Sequence, residues 1–316
     1  MNDEHVAPAS RETADPSEHD RGYEARIRRS EAALLEQPPR ILRIWRQVRR
    51  QKQVLIGGAI ILVFVFAAIF ANLITTNSPT LIDPRFRMRA PNEYYFFGTD
   101  SQGRDVFARV VFGARLSLEI GFSTSILTLL FGTVIGLIAG YYRRVDSVIM
   151  RMTDAMMAFP GIILAIAIMA VRGASVANVI FALTIVAIPR VVRLVRSLVI
   201  GLRESLFVES AIASGCTSVR VVGWHVLPNT VSPLIVQISF IFAEAVLAAA
   251  TLSFLGAGAP PEIPSWGIML ADSQRVMNIA PWTMFFPAAA LALTVLGLNL
   301  LGDGLRDMLD PRLRQR

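Results

Sequence analysis

Residues 54–74 read VLIGGAIILVFVFAAIFANLI, 21 residues without a charge. As a helix at about 1.5 Å per residue the run covers roughly 30 Å, the thickness of a bilayer's hydrocarbon core. It is not a signal peptide, because 53 residues precede it and the first 39 are polar and mixed in charge. The rest of the chain has the same character. Apolar residues make up 53% of the 316, charged residues 17%, and mean hydropathy is +0.52. A soluble core cannot hide that much apolar surface, so lipid must face part of it.

Working outward, residues 1–39 end in Pro38-Pro39 and lack apolar periodicity, and are expected to be a disordered cytoplasmic tail. Residues 40–53 place Ile41, Ile44, Trp45 and Val48 on one helical stripe among arginines, the pattern of an amphipathic helix lying at the membrane surface. A plain cytoplasmic extension of the first span is the alternative. Residues 54–316 then form the transmembrane domain. After the first span, others are predicted at about 117–140, 156–171, 176–200, 231–252 and 282–301. The second carries Gly132, Gly136 and Gly140, a seam where another helix can approach closely. The fourth is expected to be interrupted at Pro189-Arg190, with Arg190, Arg193 and Arg196 near the cytoplasmic boundary. Trp266 and Trp282 suit an aqueous interface. The fold class is all-α: about six transmembrane helices after an interfacial one.

Charge sets the expected orientation. With both termini inside, the inner segments carry 18 basic residues and the outer ones 8, six of these in the long segment 75–115. The net charge of +7 rests on arginine, Lys52 being the only lysine. It suits anionic headgroups; no soluble basic face offers itself to nucleic acid. Cys216 is alone, so no internal disulfide forms, and His5, His19 and His225 are too scattered for a metal site.

Residues 201–229, GLRESLFVESAIASGCTSVRVVGWHVLPN, are too long for a plain turn between spans. They read as a short helix from Glu204 to about Ser214, stopped by Gly215, whose left-handed conformation ends helices. Ala211, Ala213 and Ser214 give that helix a surface of little bulk, which a partner's cleft can grip. Elsewhere, Asp100, Arg104 and Asp105 suit either an ion-pair cluster that holds their loop or a contact with another protein. Asp303, Arg306, Asp307 and Asp310 solvate and cap the end of the last span. Glu244 is the ionisable residue deep in a predicted span, where insertion costs on the order of 3 kcal/mol. It must face water or the bundle interior, as a translocation-path residue or as a hydrogen-bonded packing residue.

Glu209-Ser210-Ala211, then Gly215, then Leu227-Pro228 resembles the cytoplasmic signature of importer permeases of the ATP-binding cassette (ABC) class, with serine where alanine is usual. FGTDSQGRDVFARVVFGARLSL (97–118), SFLGAGAPPEIPSWGIML (253–270) and GLNLLGDGLRDMLDPR (297–312) resemble, in order, the dipeptide, oligopeptide and nickel permease family. The likeness covers about residues 40–316 and is nearest the second, C-type permease.

The resemblance implies the type I importer fold in a bacterial cytoplasmic membrane, and a complex. Its parts are a second homologous permease, so that a heterodimer is expected, two ATPase subunits or one fused ATPase, and an extracytoplasmic solute-binding protein. It implies that Glu209, Ser210, Ala211, Gly215, Cys216 and Ser218 couple to the ATPase, and that short peptides are the solute, with nickel chelates, opines or glutathione-like compounds as alternatives. The family's acidic residue often stands near Ala248, on the same helix face as Glu244. The chain has no Gly-x-x-x-x-Gly-Lys-Ser/Thr loop, so no catalytic, cofactor or metal residue is assigned to it, and ATP and Mg are expected on the partner subunits. An ion-gradient-driven transporter would show internal repeats and several buried ionisable residues instead.

Overall fold

The structure is a computed structural model that describes residue 49 and residues 51–309. The tail 1–39, most of the interfacial helix 40–53, and Asp310 lie outside the described residues. Lipid offers no hydrogen bonds, so backbone that crosses it must satisfy itself. Helices accordingly carry the fold, and among the described residues the β-structure is a single bridge between Thr99 and Asp105.

The elements in order are α1 (Lys52–Ile69), α2 (Ala71–Ile74), a 3-10 turn (Pro84–Phe86), α3 (Val106–Tyr141), α4 (Arg143–Met157), α5 (Gly161–Arg172), α6 (Val176–Arg203), α7 (Leu206–Ala213), α8 (Ser218–Arg220), α9 (Leu227–Phe254), α10 (Trp266–Ser273) and α11 (Trp282–Leu309). Among the described residues, five stretches are long and apolar enough to cross a membrane, α8 and α9 forming one of them; α4 and α5 make a sixth if their bent pair is one span.

Several expectations need correction. The second span starts at Val106, not near Ser117, because Asp105 caps it by accepting from the amides of Phe107 and Ala108. Its 36 residues exceed the hydrocarbon core, so its first turns stand outside the bilayer. The third span is not a simple helix. α4 and α5 meet at 88°, with Ala158, Phe159 and Pro160 at the corner. Proline steers the residue before it out of helical geometry, and the 12 residues of α5 are too few to cross alone. α6 is not interrupted at Pro189, which is buried inside a continuous helix; packed membrane helices tolerate the lost amide.

The fifth span begins far earlier than residue 231. Pro228 cannot donate to a carbonyl one turn back, and just before it the helix widens to π geometry over Val221–Val226, where the Leu227 amide reaches Val222. Asp303, Arg306 and Asp307 likewise belong to the last turns of α11 instead of following it.

Glycines decide which helices touch. A Cβ on Gly132, Gly136 or Gly140 would lie 2.6, 2.7 or 2.6 Å from the Cβ of Val191, Val195 or Val199. The seam therefore closes α3 on α6, each glycine receiving a valine. α1 seats on α11 the same way, a Cβ on Gly57 meeting the Gly297 carbonyl at 2.6 Å. Trp266 is not interfacial but fully buried, with its Nε1 donating to Val110 O at 3.0 Å beside Gly113. Trp282 is half-buried and donates to Thr99 O at 3.1 Å.

The α3–α6 seam predicts a size limit. Gly136→Ala should destabilise the protein by about 1–3 kcal/mol, the usual range for overpacking. Adding Val195→Gly moves the hollow across the seam and should recover part of that loss. Thermal unfolding of both variants in detergent measures it; an unchanged midpoint in Gly136→Ala would refute the close approach.

Candidate functional site

Between α6 and α9 the chain leaves the bundle as α7, eight residues long. Its end is built as the sequence suggests. Gly215 has φ +82°, its amide donates to Ile212 O at 2.9 Å, and the Cys216 amide donates to Ala211 O at 3.1 Å. That pair of bonds is the Schellman motif, which satisfies carbonyls that the helix end orphans. Nothing lies within 4 Å of a Cβ placed on Gly215, so backbone conformation, not space, demands glycine there.

The faces of α7 differ from expectation at one residue. Ala211 is buried with Val208 against Val221 and Val226 of the π segment, so it seats α7 on the bundle and is not part of an outward surface. The outward face carries Leu206, Phe207, Glu209, Ser210, Ile212, Ala213 and Ser214, all exposed. Leu206 is 81% exposed, and Val219 and Trp224 just beyond α7 are each 78% exposed. Cys216 is half-buried, and Ser218 is exposed at the start of α8. Glu209 borders a hollow with Tyr141, Arg203, Glu204 and Ile212. The sequence points to a short helix with small side chains here, whereas its exposed face also carries Leu206, Phe207 and Ile212.

Above α7, one stripe of α6 holds three arginines, each paired to a carboxylate. Arg196 Nη2 meets Asp146 Oδ2 at 2.6 Å, Arg193 Nη2 meets Asp154 Oδ1 at 2.6 Å, and Arg190 pairs with Glu244. The first two pairs tie α6 to α4 and the third ties it to α9. Sequence reading placed these arginines at the membrane boundary as snorkelling groups. The spacing 190, 193, 196 puts them on one helix face, a signal that acidic partners should be sought on neighbouring helices. Asp146 and Asp154, both on α4, supply two of them.

Arg190 and Glu244 open on a pocket of about 580 Å³ at the α4–α5 corner, walled by Met156, Met157, Phe159 and Leu247, with Ala248 and Thr251 further along α9. Both side chains are about half exposed in the single chain, at 54% and 52%. Charges in a lipid-facing position would not be left so, and the pocket is therefore lined for water or for a neighbouring chain.

At the other end of the bundle, Asp100 accepts from the Arg104 Nε at 2.6 Å and from the amides of Gln102 and Arg104. Arg104 Nη2 continues to Asp272 at 2.9 Å, and Arg109 lies 3.8 Å from each of the two aspartates. Asp105 holds the start of α3 and accepts from Asn77 Nδ2 at 2.7 Å. Asp100, Arg104, Asp105 and Arg109 are all buried. This supports the ion-pair reading of the loop and adds Arg109 and Asp272, which no spacing in the sequence brings together. Nearby, on the exposed Pro84–Phe86 turn, the hydrogen bond from Arg85 holds the Asp83 carboxyl below the ordinary carboxylate range.

Comparisons with known proteins place the chain in a family. Residues 132–315, which hold α7, the arginine stripe and the pocket, match the family described as the binding-protein-dependent transport system inner membrane component. Residues 41–91 match the N-terminal transmembrane domain of oligopeptide transport permease C. A dipeptide transport system permease of Alkalihalophilus pseudofirmus is 48% identical over 271 residues, 85% of this chain and 89% of its own length. Glutathione transport system permeases of Escherichia coli and Pectobacterium atrosepticum are 43% and 40% identical over 272 residues, 85% of this chain and 90% of theirs. The chain therefore belongs to the binding-protein-dependent inner membrane transport family and is a permease subunit of an ABC importer.

Proposed function

We propose that this permease forms, with a second homologous permease, the path by which short peptides enter a bacterial cell across its cytoplasmic membrane, with both of its ends in the cytoplasm. An importer of this family works with ATPase and solute-binding partners. The solute reading rests on the names of the relatives, which are dipeptide, peptide and glutathione permeases. A homologous but distinct partner permease is part of this reading, supported by the match to the N-terminal domain of oligopeptide transport permease C. Two ATPase subunits, or one fused chain, hold ATP and Mg; the sequence of this chain has no loop to hold them.

One observation carries the coupling assignment: α7 leaves the bundle with an apolar outward face and a glycine-built end. A monomeric surface has no use for Leu206, Phe207 and Ile212 in water, whereas a partner's groove buries them. Glu209, Ser210, Gly215, Cys216 and Ser218 lie at or beside that contact, and Ala211 supports it from beneath. ATP binding moves the ATPase, α7 follows, and the arginine stripe passes the displacement of α6 to α4 and α9. The work comes from the difference in how the ATPase states fit the permease conformations. Glu244 lines the path at the pocket.

Orientation is tested by single cysteines in a Cys216→Ser background. Ser265 is buried as the cap of α10, so Glu262, exposed in the same loop, is the outer probe. Glu262→Cys should react with a membrane-impermeant thiol reagent in intact cells, and Ser147→Cys on the exposed side of α4 should not. Reaction at both would overturn the orientation.

Coupling is tested at the helix end. Gly215→Val forces a β-branched residue into the left-handed region, a strain of about 1–3 kcal/mol. Ser214→Trp adds bulk on the outward face without touching the core. Both should lower ATPase co-purification or uptake several-fold while the spans remain inserted. In the otherwise native chain, Cys216 should crosslink to a cysteine in the ATPase groove with an ATP-dependent yield. Wild-type uptake in both variants, with no crosslink from any groove position, would remove the assignment.

A further inference from the structure

Of the three arginine–carboxylate pairs on α6, two bind α4 and stand clear of the pocket, while Arg190 and Glu244 are both in its wall. The two pairs to α4 tie that helix to α6. The third sets a cation and an anion side by side at the edge of a space of about 580 Å³, within the usual size for small-molecule sites, roughly 300–1,000 Å³. An ion pair in that place is self-satisfied while the pocket is empty. Both side chains are about half exposed, so water can take either charge when the pair opens; a solute that brings one charge of each sign re-pairs both as it displaces that water from the pocket.

From this we infer that Arg190 and Glu244 form a zwitterion subsite, in which the peptide's ammonium replaces Arg190 at the Glu244 carboxylate and its carboxylate replaces Glu244 at the Arg190 guanidinium. The inference rests on the peptide reading above and extends it to the chemical groups that are recognised. Guanidinium takes a carboxylate through two parallel hydrogen bonds, which a lysine cannot reproduce. The remaining walls explain why side chains would matter less than termini. Met156 and Met157 are flexible and polarizable, and with Phe159 and Leu247 they offer adaptable apolar contact without a fixed donor or acceptor. The site therefore reads the two ends of a short peptide and tolerates what lies between. A single-signed solute re-pairs one of the two charges and leaves the other to water.

The test compares uptake of three ligands by the complete reconstituted complex with its binding protein: dialanine, N-acetyl-dialanine and dialaninamide. Each variant is judged by its ratio of dialanine to blocked-ligand uptake relative to wild type, so the selectivity of the binding protein cancels. Glu244→Gln should lower the preference for dialanine over N-acetyl-dialanine by about tenfold, and Arg190→Gln should lower its preference over dialaninamide similarly, the scale of one charge-assisted hydrogen bond. The two effects should be specific, each variant changing its own blocked end. Equal loss of all three ligands in both variants, or unchanged ratios, would reduce the pair to a structural tie and overturn the inference. If a glutamine variant fails to assemble, Glu244→Asp and Arg190→Lys must shift the same ratios in the same direction, or the inference falls. No ATP-driven uptake of any di- or tripeptide by the wild-type complex would instead remove the peptide reading, and the subsite with it.

Discussion

Three glycines on α3 each leave room for one valine on α6, and the remaining architecture is arranged around that contact. Gly132, Gly136 and Gly140 face Val191, Val195 and Val199 at separations that admit no further methyl group. In a bilayer, hydrophobicity does not drive one apolar helix onto another, so close packing of small residues must do so. The contact fixes the rotation of α6 about its own axis. That rotation decides where Arg190, Arg193 and Arg196 point, since they share the helix with the three valines and alternate with them along it. It also sets where α6 ends, and so where α7 begins.

Charge then does what apolar packing cannot. Each arginine of the stripe would be costly alone at membrane depth, and each has a carboxylate on a different turn or helix. Two of the pairs hold the amphipathic α4 against α6 and so set the corner at which α5 turns away by 88°. The pocket lies at that corner because the chain bends there. A quartet of buried Asp100, Arg104 and Arg109 with the more exposed Asp272 performs a similar service at the opposite end, joining the loop before α3 to α10. The same economy appears at both ends: paired charges position backbone that the bilayer alone would leave undetermined.

Much of this was legible in the sequence, and the parts that were not share a physical cause. The charge-free run 54–74, the glycine seam and the helix-ending Gly215 are local patterns, and each reports its own structure: a length, a period, a backbone conformation. Partners across the fold leave no local trace. Nothing near Trp266 reveals that its ring is buried with its Nε1 on Val110 O, and nothing near Asp272 reveals Arg104. Ala211 shows the limit well. Small residues suit both an exposed docking face and a tight seat, and only the fold shows that this one is a seat. Proline misled twice for one reason. Pro189 and Pro228 usually mark helix boundaries in water, but within a packed membrane bundle the helix runs through the first and widens before the second.

If ATP acts on α7 and is felt at the pocket, access to the pocket must change with nucleotide. The most direct measurement is the reaction rate of Thr251→Cys, a pocket residue on α9, with an impermeant thiol reagent added from the extracytoplasmic side, in a Cys216→Ser background. Coupling through α7 should give a faster rate when the ATPase is held in its ATP-bound state than when it is nucleotide-free, and loss of that difference once Gly215→Val is added. A rate that ignores nucleotide, or a nucleotide effect that survives Gly215→Val unchanged, would contradict it.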